Sequence, residues 1–176
     1  MMNNSYNIVI RLAAVIAAVF MLSSCLEKIP GDYIPEEEGM QTLSDAEQTL
    51  TGIYSSYMSG SLYSGLLTLL PDIQTDMVYA VQGNSNTYGT HWLWDIRSTN
   101  AEVEAIYGAL YRVIGRCNFY LDQVDELRNT LTIDEEIQML DYFTGEVYCA
   151  RALAYSELIK CFCKAYDPAT AEKELG

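Results

Sequence analysis

The densest group of chemically useful side chains is Thr90-His91-Trp92-Leu93-Trp94-Asp95, with Asn100 shortly after it. Trp92 and Trp94 are two residues apart, so on an extended backbone they face one side. An indole face is a good platform for the apolar face of a sugar ring, with a few polar groups nearby to fix orientation. Asp95, Asn100 and His91 are close enough in sequence to supply those groups. The alternative is that one or both indoles fill the core between this loop and a neighbouring helix.

Other residue types point to less. Asp72 and Asp76 could coordinate an ion or a sugar hydroxyl, or cap a helix or turn. A glycosidase needs two carboxyls flanking the scissile bond, one with a raised pKa, and nothing in the sequence marks a buried acid. There are five cysteines and one histidine. On a helix Cys161 and Cys163 point about 200° apart, poorly placed to bridge each other or to share a metal. A zinc site would rest on cysteines scattered along two helices. Buried free thiols are expected instead, with no metal, no cofactor and no enzymatic activity.

Cys25 is a different case. Ile8 to Leu22 is apolar except for Arg11, and the uninterrupted part, Leu12 to Leu22, is eleven residues. A spanning helix needs about 20; eleven behind a positive residue suits a secretory signal. Leu22-Ser23-Ser24-Cys25 resembles a bacterial lipobox, which implies cleavage before Cys25 and lipidation of its thiol. Several acyl chains on one residue would anchor it firmly. The other reading is a short signal anchor with an incidental cysteine. Residues 26–39 carry Pro30, Pro35, Gly31, Gly39 and Glu36-Glu37-Glu38, the composition of a tether. The expected division is a signal peptide over 1–24, a lipidated N-terminus and tether over 25–43, and a helical domain over 44–176.

Net charge is −14 in 176 residues, which excludes nucleic acid as a partner, since such binding begins by neutralising phosphates. The mature chain, about 150 residues, suffices for one domain with one core. Fourteen tyrosines suit half-buried helix faces and wet binding surfaces alike.

Three helices must position the loop. Ser44-Asp45-Ala46-Glu47 reads as a capping box, followed by Ala46, Leu50, Ile53, Tyr54 and Tyr57 at helical spacing. Thr99-Asn100-Ala101-Glu102 reads as a second box, followed by Val103, Ile106, Tyr107, Leu110, Ile114, Cys117, Leu121 and Val124. Gly108 and Gly115 on that helix predict close approach of another. Thr132-Ile133-Asp134-Glu135 reads as a third box, with Ile137, Leu140, Phe143 or Thr144, Val147, Ala150, Ala154, Leu158 and Cys161 running toward Ala165. The short link at 128–131 predicts antiparallel neighbours. Tyr63 to Ser98 reads as a long structured loop, with a short helix or strand at 66–70. Arg151 and Glu146 read as structural, with Asp122, Asp125 or Glu126 as partners for the arginine. Tyr111, Tyr148, Tyr155 and Phe162 fall off the main stripes and are expected to be exposed.

Separated stretches together resemble the N-terminal part of the SusD/RagB family, outer-membrane nutrient-binding lipoproteins of Bacteroidetes. After the lipidated Cys25 come SDAEQTLTGIYSSY (44–57), LLPDIQTDMVY (69–79), AIYGALYRVIGRCNFYLDQV (105–124) and GEVYCARALAYSELIKCF (145–162), the last carrying Gly145, Glu146, Arg151, Ala152, Tyr155 and Leu158. The tail, KAYDPATAEKELG (164–176), resembles a family linker that ends in Leu-Gly and runs on. Family members are several hundred residues long, so the chain reads as a fragment, a truncated copy or a shortened gene product.

The resemblance implies an all-α fold of tetratricopeptide-like helical hairpins with a long structured loop, truncated relative to the family. It implies a lipid-anchored protein of the outer membrane, at the cell surface, capturing glycan for import with a SusC-like TonB-dependent transporter. The ligand is an oligosaccharide, or a peptide as for some relatives. Loop aromatics contribute to glycan binding in such proteins, which places Trp94 first among the candidates, with Trp92, Asp95 and Asn100 beside it. The competing reading is a truncated helical interaction scaffold without ligand binding.

Overall fold

The computed structural model describes residues 39–170 and 173, apart from 76, 80 and 84. The signal, the lipobox at Cys25 and most of the tether lie outside the described residues, as does Asp76. Among the described residues five helices occur in order: α1 Leu43–Tyr57, α2 Leu66–Ile73, α3 Gly89–Trp92, α4 Ala101–Thr130 and α5 Asp134–Phe162. No strand occurs among the described residues. None of these helices is long and apolar enough to cross a membrane.

The helix starts differ from expectation. α1 is capped by Thr42, whose hydroxyl accepts from the Asp45 N–H while the Asp45 carboxylate accepts from the Thr42 N–H at 2.8 Å. The box is shifted two residues upstream, because Asp45 reaches back across the turn as well as a glutamate does; Ser44 instead accepts from Gln48. Asn100 stands at the N-cap of α4, yet its side chain makes no capping bond and turns to the preceding loop. Ile133 stands at the N-cap of α5, again without a side-chain cap. The acidic first turn, Asp134, Glu135 and Glu136, offers the helix dipole its stabilising charge instead.

α4 and α5 form an antiparallel hairpin of 30 and 29 residues, each about 45 Å long at 1.5 Å per residue. Three cross-helix ties keep one register. The Tyr107 ring meets Phe162 edge-on at 5.2 Å. Arg151 donates to Asn118 at 2.9 Å, and Arg128 forms an ion pair with Asp141. Each pair of numbers sums to the same value, as antiparallel pairing requires. Arg151 thus finds an amide rather than the expected carboxylates at 122, 125 or 126, and it lies over the Tyr148 ring.

α1 packs on this hairpin, parallel to α5. Tyr54 donates to Glu146 at 2.6 Å, Tyr57 to the Ala150 carbonyl at 2.6 Å, and Tyr63 to Glu157 at 3.1 Å. Ala150 and Ala154 are buried, and their small side chains let Tyr57 reach the helix backbone. On α4, Arg116 donates to the Gly52 carbonyl at 2.9 Å and also to Ser56. Chain entry to α1 is fixed by Met40, buried, whose N–H donates to Gln123 at 2.6 Å.

The core is the seam of the three long helices: Ile53, Leu110, Val113, Cys117, Tyr120, Leu140, Val147 and Ala154. The stripe expected on α4 omits Ala109, Val113, Tyr120 and Leu127, all buried, because α1 and α5 together cover a wider arc than one neighbour would. Tyr54, Tyr107 and Cys161, which the spacing places on the buried stripes, are exposed. Tyr111, Tyr148, Tyr155 and Phe162 are exposed as expected.

Gly108 and Gly115 do not mark a close helix approach. A Cβ at Gly115 would meet nothing within 4 Å, and one at Gly108 only the Arg112 guanidinium at 3.5 Å. Both glycines lie off the packed faces. The four described cysteines are free, but only Cys117 is buried; Cys149 and Cys161 are exposed and Cys163 is intermediate. Burial pushes the Cys117 thiol up, which keeps it protonated and unreactive.

Candidate binding site at the Trp92–Trp94 turn

The segment read as one long loop contains α2 and α3. α2 is a helix, not a strand, and buries Leu67 and Leu70. α3 is a single turn preceded by two left-handed residues, Asn86 at φ 57° and Tyr88 at φ 58°. A Cβ at Gly89 would lie 2.1 Å from the Asn86 side-chain oxygen, so a larger residue there would displace that amide.

The end of α3 is a Schellman turn. The Asp95 N–H donates to Thr90 O at 2.8 Å and the Trp94 N–H to His91 O at 3.1 Å. Trp94 occupies the left-handed position at φ 59°, where glycine is usual. A bulky residue there is an outlier. The expected extended backbone is therefore absent: Trp92 closes a helical turn and Trp94 follows it in a left-handed bend. Both are solvent-facing, at 42% and 69% exposure. Neither fills the core.

What fills the core is His91, 2% exposed. It pins α3 to the body of the domain while its two tryptophan neighbours project. Its Nδ1 lies 3.4 Å from the Thr90 hydroxyl. Asn100 donates from its side-chain amide to that hydroxyl at 3.3 Å and accepts the Arg97 N–H at 2.6 Å. Asp95 holds the Arg97 guanidinium with both oxygens, each at 3.0 Å. That pairing raises the pKa of the exposed Arg97.

Of the residues predicted for the site, the turn thus brings Asp95 and Asn100 together through Arg97, and both are engaged in shaping the loop. Trp92 and Trp94 present apolar surface beside them. Thr90 and Arg97 carried no signal in the sequence, because their roles come from hydrogen bonds across a fold-dependent bend. Asp72 sits in the last turn of α2, where its carbonyl accepts from Thr75. Among the described residues no three or more His, Cys, Asp or Glu side chains come together to hold a metal ion.

No family model and no solved structure matches the chain. A SusD-like protein, P25 of Formosa agariphila, is 30% identical over 158 residues, 82% of this chain and 29% of the relative. The chain therefore spans less than a third of the length of the relative it matches. Over that span it is a partial SusD-like sequence.

Proposed function

We propose that the chain works in an outer-membrane lipoprotein that captures an oligosaccharide and passes it to a SusC-like TonB-dependent transporter. In this reading residues 1–24 direct export, Cys25 carries the lipid, residues 26–43 form the tether, and residues 44–176 form a SusD-type helical domain. The α4–α5 hairpin is one element of a tetratricopeptide-like array. Trp94 is the principal sugar platform, Trp92 extends it, and Asp95 and Asn100 keep the turn in shape and offer polar edges to sugar hydroxyls. The role is binding without catalysis, and a peptide is the second ligand class.

One observation carries the reading: an exposed indole held in a left-handed backbone position, on a turn pinned by a buried histidine. Strained conformations persist where the surroundings over-determine them, and they cluster at binding sites. Trp94→Ala in the full chain should abolish or weaken heat release on titration with a panel of bacterial and plant oligosaccharides, with an unchanged circular dichroism spectrum. Equal titrations for the two proteins would refute it.

A scaffold without ligand binding is the second reading. It is favoured by the exposed aromatic face of the hairpin, where the Tyr107 and Tyr111 rings meet tilted at 4.7 Å beside Phe162.

A further inference from the structure

Behind the tryptophan turn lies a cavity of about 480 Å³, walled by α2, the start of α4 and the end of α5. Leu67, Leu70, Val103 and Ile106 supply apolar surface. None of Trp92, Trp94, Asp95 or Asn100 lines it, so it is distinct from the exposed platform. Its volume falls in the usual range for small-molecule sites, about 300–1,000 Å³.

Three features give the cavity a chemical preference. His91 lines it, and the His91 Nε2 is buried with no hydrogen-bond partner. Nδ1 lies 3.4 Å from the Thr90 hydroxyl, which also accepts from Asn100. In the tautomer whose Nδ1 accepts from that hydroxyl, Nε2 carries the proton and can donate to a ligand. The lining also includes two cations, Arg97 and Lys160, and no Asp or Glu among the described residues. In a chain with 24 acidic and 10 basic residues, that bias of the lining is local, and a carboxylate head would share each cation with the partner it already has. The counter-ions Asp95 and Glu157 hold those cations at 3.0 and 2.9 Å from outside the cavity lining.

We propose that this cavity binds a small apolar carboxylate, its hydrocarbon body against the leucines of α2 and its head beside Lys160 and Arg97, accepting from His91 once a small turn of the ring brings the buried Nε2 to the cavity wall. A buried polar group left unpaired is costly, so a ligand atom that pairs with it is favoured. The proposal is independent of glycan capture.

His91 is the sole histidine, so its ring resonances report on the site without ambiguity. The full chain, labelled with ¹³C,¹⁵N-histidine, is titrated with octanoate, 1-octanol and octylammonium. Octanoate should shift the ring signals saturably, with the proton on Nε2, octanol should bind more weakly, and octylammonium weakest. Lys160→Gln changes an exposed side chain and should weaken octanoate about threefold, with less effect at high salt, while leaving octanol unchanged. His91→Phe should weaken octanoate about tenfold; if that variant fails to fold, the native titration and Lys160→Gln decide alone. An unshifted His91 ring at saturating octanoate overturns the proposal. Equal response to the three probes does so too, by showing unselective apolar uptake, as does equal octanoate affinity in Lys160→Gln. The native titration and Lys160→Gln are independent of Trp94 and glycan, whereas His91→Phe also removes the pin beneath the tryptophan turn.

Discussion

Replacing Trp94 by alanine and, separately, by glycine isolates the strain on which the tryptophan turn rests. Both variants lose the indole. Trp94 is 69% exposed, so about a third of a ring of roughly 250 Å² is covered, about 80 Å², or about 2 kcal/mol at 25 cal/mol per Å². The variants differ in backbone cost. The left-handed conformation costs an L-residue about 1–2 kcal/mol, and glycine escapes it. Glycine also gives the unfolded chain more freedom, at about 0.4–1 kcal/mol. The net ordering is native, then Gly, then Ala, with Gly about 0.5–1 kcal/mol better than Ala. Hydrogen exchange at the Asp95 amide, bonded to Thr90 O at 2.8 Å, reads this locally. Protection should be about 2–5-fold higher in Trp94→Gly than in Trp94→Ala. In an ordinary helix or strand the order is reversed. Protection equal or greater in the alanine variant would mean that residue 94 does not occupy the left-handed bend, and the argument for a strained, pre-set platform would fall with it.

Leu110→Ala, at a fully buried position of the core, should cost about 2–5 kcal/mol in urea unfolding. Leu110→Asp should prevent cooperative folding, because it buries an unpaired charge. Thr42→Ala should cost about 1 kcal/mol by loss of the α1 cap. The hydrogen bonds from Thr42 hold the Asp45 carboxyl below the usual range, so its contribution is present above the unfolded pKa of about 4 and is lost as pH falls through the lower folded value. The native-minus-Thr42→Ala difference should therefore shrink between pH 5 and pH 2. Burial raises the Tyr57 phenol, and burial with the Glu157 hydrogen bond pushes Tyr63 up to about 12. Their contribution is full below about pH 10 and lost as pH rises toward the folded values. Alkaline unfolding followed at 295 nm should begin later in Tyr57→Phe than in the native protein, although that variant loses about 1 kcal/mol at neutral pH.

Local patterning by itself determined the three long helices, the antiparallel hairpin and most of the apolar seam. Steps of three and four residues can bury one face only as a helix, and a link of a few polar residues leaves no room for anything but an antiparallel return. It also marked the two tryptophans, since indoles are conspicuous in any loop. Tertiary structure decided the rest. It set which residue caps α1, because Thr42 and Ser44 are equivalent until the chain before them takes a path. It widened the buried arc of α4 to Tyr120 and Val113, because two helices rather than one lie against it. It gave Arg151 an amide partner, three turns along a register that only the packed hairpin defines. At the tryptophan turn it reversed the roles of neighbours: His91, read as a helper of the tryptophans, is the buried pin, and the tryptophans stand outside. The cavity behind that turn is drawn from α2, the loop, α4 and α5. Such a site has no linear spacing to recognise, because its lining residues become neighbours only when the ends of two 45 Å helices meet the segment that joins α1 to α4.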